Sequence, residues 1–413
     1  MGSFSKPRFL GFIGNILEHY DQALYGMLAP FIAPLFFDSS DRLTGLILTY
    51  AIIPLGFITK PLGSIFFGFL GDRIGRKYAL YHSLIGIGVV TVAFSFLPTY
   101  STAGVIAPIA LAVLKMLQSF FAAGQSVGGS IFILEQTPHG KRSWMSSLYN
   151  SSTMLGILLA SGLVTLLSVY NIVEQGWRIL FLLGGATVFL GFLLRNTHED
   201  IEERSRVEKP KLLQILLEQK RPLLRIIVAA GFSYTTYSFA FTLMNGYVPL
   251  ITALSKTDMM QLNTALLVAD MLLLPLFGAV GQKIGKEKLM LLGAFWAAIS
   301  SIPLFFILGV GSLGIVVFVR LMIMTLGVAF AAPYHAWALE QVPPEHRCII
   351  LSLGSALGSQ LIGAPTSVIS LWLYKQTGWV AAPGLYLLII AGAASAVLYR
   401  SLYQLRVKSS FLD

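Results

Sequence analysis

Charged side chains are scarce in this sequence. Asp, Glu, Lys and Arg make up only 12% of its 413 residues, whereas 55% are hydrophobic, and the mean hydropathy is +0.75. A soluble domain carries about 25% charged residues. The shortage therefore excludes an ordinary soluble domain and predicts a membrane protein whose helices cross the bilayer with about 20 residues each.

Cysteine is almost absent as well. The single residue Cys348 excludes a disulfide within the chain and a zinc or iron–sulfur cluster built on several cysteines. The sequence also lacks the Gly-x-x-x-x-Gly-Lys-Ser/Thr loop that cradles nucleotide phosphates and the His-Glu-x-x-His helix of zinc hydrolases. We therefore expect neither an ATP-driven pump nor an enzyme, and we expect no cofactor and no metal.

Basic residues outnumber acidic ones, and the net charge is +10. Such a surplus can serve nucleic-acid binding, but most of these Lys and Arg lie in loops on the side of the N-terminus and of one long charged loop. Positively charged loops stay in the cytoplasm. We therefore predict a multi-pass protein of the cell (inner or plasma) membrane with both termini cytoplasmic, the lipid bilayer around it and no nucleic-acid partner.

Long hydrophobic runs predict about twelve transmembrane helices. The connections between them are short except for a charged stretch at 196–222. We predict an all-α membrane protein with an N-terminal six-helix bundle at 1–195, a cytoplasmic linker at 196–222 and a C-terminal six-helix bundle at 223–413. No long heptad run supports pairing of chains, so a monomer is the default expectation. The predicted spans lie at about 9–37, 43–70, 78–97, 103–135, 144–170, 177–195, 223–254, 259–281, 286–309, 312–341, 348–374 and 379–403.

Two short patterns recur in corresponding loops of the two predicted bundles. EQTPHGKR at 135–142 and EQVPPEHR at 340–347 share Glu, Gln, Pro and Arg at matching positions, and GDRIGRK at 71–77 is echoed by GQKIGKE at 281–287. Both echoes join loops on the cytoplasmic side, so the two bundles run in the same direction. Parallel bundles related by an axis along the membrane normal are one architecture of transporters, with the substrate held between them.

Several segments resemble a known family. GFLGDRIGRKYAL at 68–80 resembles the signature of the major facilitator superfamily between spans two and three, and other segments resemble the metabolite:H+ symporters, which include proline/betaine transporters. The resemblance implies two pseudo-symmetric six-helix bundles and proton-coupled uptake of a small organic solute. His19 stands where the family has Trp, and Lys60 and Lys115 stand where it has Arg. The other matching segments are GNILEHYDQALYG at 14–26, KPLG at 60–63, KMLQSFFAAGQSVGGS at 115–130 and GWRILFLLG at 176–184.

The first predicted span carries acids in apolar surroundings. Glu18, Asp21 and Tyr25 share one face of a helix, and His19 lies beside them. An isolated acid at mid-membrane costs about 2.5–3.5 kcal/mol on insertion scales, so these acids need a cation, a wet cavity or a proton. We predict that Glu18, Asp21 and His19 couple transport to protons; the alternative is a structural pair with Lys that holds two helices together. Asp270 in the eighth span is a further membrane acid with either a coupling or a structural role.

Polar and aromatic side chains in other spans are candidates for binding the substrate. Lys115 and Arg320 are cations within the fourth and tenth spans, where they either bind a substrate carboxylate or neutralise an acid of the first span. Aromatic side chains of the seventh span can hold an ammonium group, although helix packing is the simpler explanation of them. The predicted substrate-binding residues are Tyr25, Lys60, Lys115, Gln118, Gln125, Tyr234, Tyr237, Asn245 and Arg320.

Charged loop ends are predicted to act as gates. In GDRIGRK, Asp72 is placed for an ion pair with a cation such as Arg142, while the basic side chains reach lipid phosphates or carbonyl groups. The repeated acids after the fourth and tenth spans favour Glu135 with Arg142, and Glu340 with Arg347, as members of the same network. The alternative is that these charges only set the topology. The predicted gating residues are Asp72, Arg73, Arg76, Glu135, Arg142, Glu340 and Arg347.

Together these patterns predict a secondary transporter that takes up a small organic solute with protons by alternating access. The resemblance implies either a proline- or betaine-like zwitterion or a carboxylate as substrate, and the membrane acids and the aromatic side chains of the seventh span favour the zwitterion. Proton symport of an organic carboxylate such as 2-oxoglutarate or citrate, and an uncoupled uniporter or exchanger, stay open as alternatives. A membrane sensor that does not transport is a hypothesis of a different class.

Overall fold

The structure is a computed structural model that describes residues 6–38, 41–73, 76–123, 134, 137–186, 188 and 212–409. Helices connected by turns make up this described part, and none of its residues forms a strand. The predicted all-α class is therefore confirmed.

The N-terminal half, as named here, consists of the described helices before the long charged stretch. Asp41 caps one of them, because its carboxylate accepts the backbone N–H groups of Leu43 at 3.0 Å and Thr44 at 3.3 Å and so satisfies donors that a helix start leaves open. The helices are α1 (Lys6–Phe36), α2 (Arg42–Ala51), α3 (Gly56–Arg73), α4 (Arg76–Phe94), the short α5 (Tyr100–Ala103), α6 (Ile106–Ala122), α7 (Arg142–Val169) and α8 (Val173–Gly184).

The C-terminal half follows the charged stretch. Two of its helical runs contain a π-helical turn, at Ser238–Leu243 and at Gly358–Gly363, and such turns are frequent at functional sites. The helices are α9 (Leu212–Glu218), α10 (Lys220–Tyr237), α11 (Met244–Ile251), α12 (Lys256–Ile284), α13 (Lys286–Ile307), α14 (Leu313–Glu340), α15 (Arg347–Leu357), α16 (Thr366–Thr377) and α17 (Ala382–Ser409).

Eight helical runs of the described residues are long and apolar enough to cross a membrane. Each predicted span overlaps at least one described helix; the fifth, for example, is predicted at 144–170 and found at Arg142–Val169. The total of twelve stays a prediction, because helices such as α6 and α8 adjoin residues outside the described part. The eight runs are Arg42–Phe67, Arg142–Val169, Lys220–Ile251, Lys256–Ile284, Lys286–Val310, Leu313–Glu340, Ile349–Thr377 and Ala382–Leu402.

Large apolar side chains lie on the outside of the bundle as well as in its core. Ile65, Phe96 and Phe306 are exposed, whereas Trp177 and Trp337 are buried. An apolar surface of this extent is unfavourable in water and suits contact with lipid chains. The arrangement is that of a membrane-embedded bundle. Its outer apolar side chains suit contact with lipid, and its inner ones pack between the helices.

The two halves meet along several helix pairs. Helix α7 packs against α12 and α14, α1 against α11, α2 against α16 and α3 against α15. Helix α1 therefore lies beside the other half, and Glu18 is the acid of α1 that comes within electrostatic reach of a residue there, Tyr234.

Candidate functional site

Glu18 lies on the face of α1 that turns toward the other half. Its side chain is 4% exposed, and its Oε1 accepts a hydrogen bond from Gln22 Nε2 at 2.8 Å. The ammonium group of Lys60 on α3, itself buried, is the cation that acts electrostatically on this carboxylate. The carboxylate on α1 and the ammonium group on α3 thus interact electrostatically, but they form no salt bridge in the described part of the chain.

Tyrosines from both halves surround Glu18. Tyr149 on α7 and Tyr234 on α10 both lie within electrostatic reach of the Glu18 carboxylate. Tyr234 keeps 42% of its surface accessible although Glu18 of the other half lies within electrostatic reach of it. Aromatic faces, a carboxylate and an ammonium group therefore converge on one space between the halves.

Two histidines extend the polar cluster across the interface. His19 shares a 2.8 Å hydrogen bond between its Nδ1 and the carbonyl oxygen of Asn15; because that oxygen can only accept, His19 Nδ1 donates. His335 on α14 bonds through its Nε2 to Asn150 Oδ1 at 3.1 Å, and its ring packs edge-on against Tyr149 with centroids 5.6 Å apart. The two imidazoles act on each other electrostatically, so a titratable group from each half reaches the site.

Asp21 belongs to a separate cluster inside the N-terminal half. Its side chain is fully buried, and the charge that acts on it comes from Lys115 on α6. Lys115 Nζ donates to Gln118 Oε1 at 2.8 Å and lies 5.1 Å from the centre of the Tyr25 ring. Gln118 Nε2 in turn donates to Asp21 O at 3.4 Å. Of the two interpretations of Asp21, this geometry favours the structural pair with Lys.

Arg320 is buried in the C-terminal half with its donors in use. Its Nε donates to Ala240 O at 3.0 Å, its Nη1 to Met259 O at 3.3 Å, and its Nη2 to the side-chain oxygens of Asn245 and Asn263. These partners satisfy the guanidinium group within the described part of the chain. Arg320 therefore packs helices in this conformation, and its predicted contact with a substrate is untested.

The Asn263 amide connects this arginine cluster to the other half. Its Nδ2 donates to Ser161 Oγ on α7 at 3.0 Å and to Met27 Sδ on α1 at 3.3 Å. Asn245 Nδ2 also approaches Met27 Sδ, at 3.6 Å. The predicted residues Asn245 and Arg320 are thereby brought together, but at a bridge between the halves rather than beside Glu18 and Lys60.

One end of the bundle is closed by a salt bridge between the halves. Lys375 Nζ lies 3.0 Å from Asp41 Oδ2, and Lys256 Nζ donates to Pro30 O at 2.5 Å. The hydroxyl of Thr44 and the ammonium of Lys375 hold the pKa of Asp41 at about 2, so this carboxylate is charged at neutral pH. Sequence reasoning missed this contact, because Asp41 at the start of α2 and Lys375 in the last turn of α16 are remote in the chain.

The predicted gating network at the opposite end is described only in part. Glu340 forms an ion pair with Lys286 at 2.7 Å, and the predicted network of Glu340 with Arg347 stays a prediction. Arg347 Nε donates to the carbonyl oxygens of Leu339 at 3.0 Å and Val342 at 3.1 Å. Lys286 lies at the start of α13, the helix that precedes α14. The sequence pattern does not show that this lysine is close to Glu340 in space.

Other predicted residues lie outside the described part of the chain. This holds for Gln125 and Glu135 entirely and for the side chains of Asp72, Arg73 and Arg76. Their predicted roles stay predictions. Arg142 is described, and its Nε donates to Thr137 O at 3.2 Å.

Hydroxyl and amide groups on α7 bind the other half along its whole length, and sequence reasoning missed them. Near one end, Ser168 Oγ lies 2.8 Å from Thr257 Oγ1. Near the other end, Ser143 Oγ donates to Gly278 O at 3.1 Å and Asn150 Nδ2 to Ala331 O at 2.7 Å. The available signal was the run of Ser, Thr and Asn within the fifth span.

The comparisons with known proteins agree with this architecture. The family model of the Major Facilitator Superfamily matches residues 11–253 and 226–410. Among solved structures, the E. coli xylose transporter in a partially occluded inward-open conformation covers 95% of this chain and 96% of its own, with a TM-score of 0.72 at 18% identity. The human organic anion transporter covers 95% of this chain and 100% of its own, with a TM-score of 0.66 at 13% identity. These two structures show the fold.

Two curated relatives match over most of their length. The proline/betaine transporter of Escherichia coli is 26% identical over 409 residues, which cover 94% of this chain and 82% of that protein. The glycine betaine/proline/ectoine/pipecolic acid transporter of Dickeya dadantii is 28% identical over 411 residues, which cover 94% and 81%. The chain therefore belongs to the Major Facilitator Superfamily, as a multi-pass membrane transporter that is similar to proline/betaine transporters, rather than an enzyme.

Proposed function

We propose that this transporter takes up a small organic zwitterion together with protons by alternating access. The main support is the proximity of four side chains between the halves: Glu18 and Lys60 present opposite charges beside the rings of Tyr149 and Tyr234. The ammonium group of the zwitterion binds at Glu18 and the tyrosine faces, which attract cations. Its carboxylate binds at Lys60.

The proton is assigned to the same site. Glu18 is the acid of the first span that borders the cavity, and His19 and His335 lie within reach of each other across the interface. Asp21, in contrast, interacts with Lys115. A proton on Glu18 or His19 is therefore available to the cavity, whereas the Asp21–Lys115 pair supports the helices around it.

The topology forms part of the proposal. Both termini and the linker at 196–222 lie in the cytoplasm, because the basic loops follow the positive-inside rule. The bundles at 1–195 and 223–413 move against each other around the fixed site, as in transporters built from two parallel repeats.

One observation favours a second candidate, proton symport of an organic carboxylate. Lys60 and Lys115 are both buried in the N-terminal half and close enough to act on each other electrostatically. Two neighbouring ammonium groups would suit a substrate with more than one carboxylate. We rank this candidate second, because Lys115 already interacts with Asp21 and Gln118.

Uptake by proteoliposomes tests the proposal. Purified protein is reconstituted, and labelled proline, glycine betaine, 2-oxoglutarate and citrate are offered with and without an inward proton gradient. We expect gradient-driven uptake of a zwitterion, accompanied by alkalinisation outside the vesicles. Uptake that ignores a collapsed pH gradient would contradict proton coupling and favour the uniporter, and uptake of the carboxylates alone would favour the second candidate.

The Glu18→Gln variant localises the site. Removing one charged hydrogen-bonding partner of a ligand costs about 1.5–3 kcal/mol, so the apparent KM for the zwitterion rises about tenfold or more. Glu174→Gln is the matched control, because Glu174 is exposed at the start of α8, and it leaves uptake unchanged. Equal uptake by both variants would remove Glu18 from the site, and tight ligand binding without any flux in the unaltered protein would favour the sensor.

A further inference from the structure

Asp270 is a buried acid in the middle of α12. Its side chain is 4% exposed, and its Oδ2 is enclosed without a hydrogen-bond partner among the residues that the structure describes. The hydroxyl of Tyr237, at the end of α10, is likewise enclosed and without a hydrogen-bond partner in the described part. The two groups are electrostatic neighbours.

No cation of the described part compensates Asp270. Glu18 has Lys60 and Asp21 has Lys115 nearby, whereas no charged group among the described residues acts on the Asp270 carboxyl. Several described helices pack against α12, and none of their titratable side chains acts electrostatically on the Asp270 carboxyl. These side chains are Arg142, Tyr149, Tyr247, Lys286, Glu287, Lys288, Arg320, Tyr334, His335 and Glu340.

The absence of a counter-charge in the described part favours the protonated, neutral form of the Asp270 carboxyl group. An isolated carboxylate in a membrane span costs about 2.5–3.5 kcal/mol on insertion scales, and burial without a hydrogen bond adds to this cost. A bound proton removes the charge. The closed arrangement around Asp270 therefore accommodates the neutral carboxylic acid.

We propose that Asp270 is a second proton-binding site of this transporter, located in the C-terminal half, with Tyr237 as its positioning residue. The inference rests on the proposed proton-coupled function. The O–H bond forms with a proton from water when Asp270 is reached from one side of the membrane, and it breaks when the carboxyl is wetted from the other side.

The position of Asp270 connects proton binding to the movement of the halves. The next residue, Met271, accepts a hydrogen bond through its carbonyl oxygen from Ser151 Oγ on α7 at 3.2 Å. Separation of α7 from α12 breaks this bond and lets water reach the carboxyl group. Tyr237 lies directly before the π-helical turn Ser238–Leu243, and such turns are frequent at functional sites.

A proton fits this site better than a metal cation. Sodium and calcium ions need several oxygen ligands, whereas Asp270 Oδ2 has no oxygen or nitrogen partner in the described part of the chain. In the described part, no group of three or more His, Cys, Asp or Glu residues is placed to hold a metal ion. The proposal therefore commits to the proton.

Infrared spectroscopy of the full-length protein in lipid tests the site without a substrate. A neutral carboxylic acid has a carbonyl stretch that is separate from the carboxylate and amide bands and shifts in heavy water. At neutral pH we expect this band in the unaltered protein and its loss in Asp270→Asn. Asp258→Asn is the matched control, because Asp258 is exposed on the same helix, and it leaves the band in place.

Transport separates this inference from the proposed function. In Asp270→Asn we expect zwitterion counterflow to persist and gradient-driven accumulation to fall to the level seen without a pH gradient. In Tyr237→Phe the infrared band shifts, because the neighbouring hydroxyl is gone, and accumulation is reduced. A protein that transports no zwitterion but loses the band in Asp270→Asn would overturn the function and keep the proton site. A band unchanged in Asp270→Asn, or accumulation driven by sodium instead of protons, would overturn the site.

Discussion

At the scale of single residues, the acids of this chain differ in what surrounds them. Glu18 is 4% exposed with Lys60 nearby, and Asp21 is fully buried with Lys115. These acids are close in sequence and share one helix face, but α3 supplies the cation near one and α6 the cation near the other. The charge that acts on each acid therefore follows from tertiary contacts.

Charge removal tests the pairing of Asp21 with Lys115. Breaking a buried pair on one side leaves a buried charge and costs about 3–5 kcal/mol, so Asp21→Asn and Lys115→Met each lower the unfolding temperature strongly. The double variant is more stable than the sum of the two losses predicts, because no lone charge remains. Thermal unfolding of the purified proteins measures these shifts.

The exposed pair of Asp41 with Lys375 is the matched control for this cycle. Surface salt bridges contribute about 0–1 kcal/mol, so Asp41→Asn and Lys375→Met change the unfolding temperature little. Strictly additive losses for Asp21→Asn and Lys115→Met would show that these two residues do not interact, and Asp21 would return to the list of coupling candidates.

At the scale of helices, glycine allows α1 and α7 to come into contact. A Cβ atom at Gly156 on α7 would collide with the backbone carbonyl of Ile16 on α1. Small residues permit such close approach between transmembrane helices. The contact holds α1 against α7, so the position of Glu18 depends on a glycine of another helix.

The substitution Gly156→Ala tests this contact. Because a backbone atom cannot move aside as a flexible side chain does, the extra methyl group forces the helices apart at a cost of about 1–3 kcal/mol, and zwitterion uptake falls with the displacement of α1. Gly162→Ala on the same helix meets no atom within 4 Å. Alanine favours a helix over glycine by about 1 kcal/mol, so this control is as stable as the unaltered protein or more so. Equal unfolding temperatures for the two variants would contradict the close approach.

At the scale of the whole molecule, hydrogen bonds join the halves near both ends of α7. Ser168 meets Thr257 near one end, and Ser143 donates to the backbone of Gly278 near the other. Alternating access requires that these two sets of contacts break in turn. The described conformation is therefore held at both ends, and the proposed alternating access needs each end to open.

A reversible cross-link tests whether the Ser168 end opens during transport. In a Cys348→Ser background, Ser168→Cys with Thr257→Cys places two thiols where the hydroxyl oxygens lie 2.8 Å apart. We expect oxidation to abolish uptake and reduction to restore it. The matched control joins Thr235→Cys to Thr366→Cys, whose hydroxyl oxygens lie 3.4 Å apart within the C-terminal half and need not separate, so its oxidation leaves uptake unchanged. Full uptake by the oxidised first pair would contradict opening at this end.

The fold was predictable from the sequence because its causes are local. The scarcity of charge and the length of the apolar runs predict membrane helices, and the fifth predicted span differs from α7 by only one or two residues at its ends. The presence of Glu18, Asp21, Lys60 and Lys115 within the spans was likewise visible. The pairing of acids with cations was not, because it depends on which helices become neighbours.

By itself, the sequence determined the membrane class, the helical content and the family, since composition, run length and motifs are properties of the chain alone. Only the tertiary structure decided that Arg320 is engaged by the C-terminal half, that Glu340 pairs with Lys286 and that Asp270 has no counter-charge in the described part. The physical reason is that the interaction of charges depends on distance and burial, and both are set by the packing of helices that are remote in sequence.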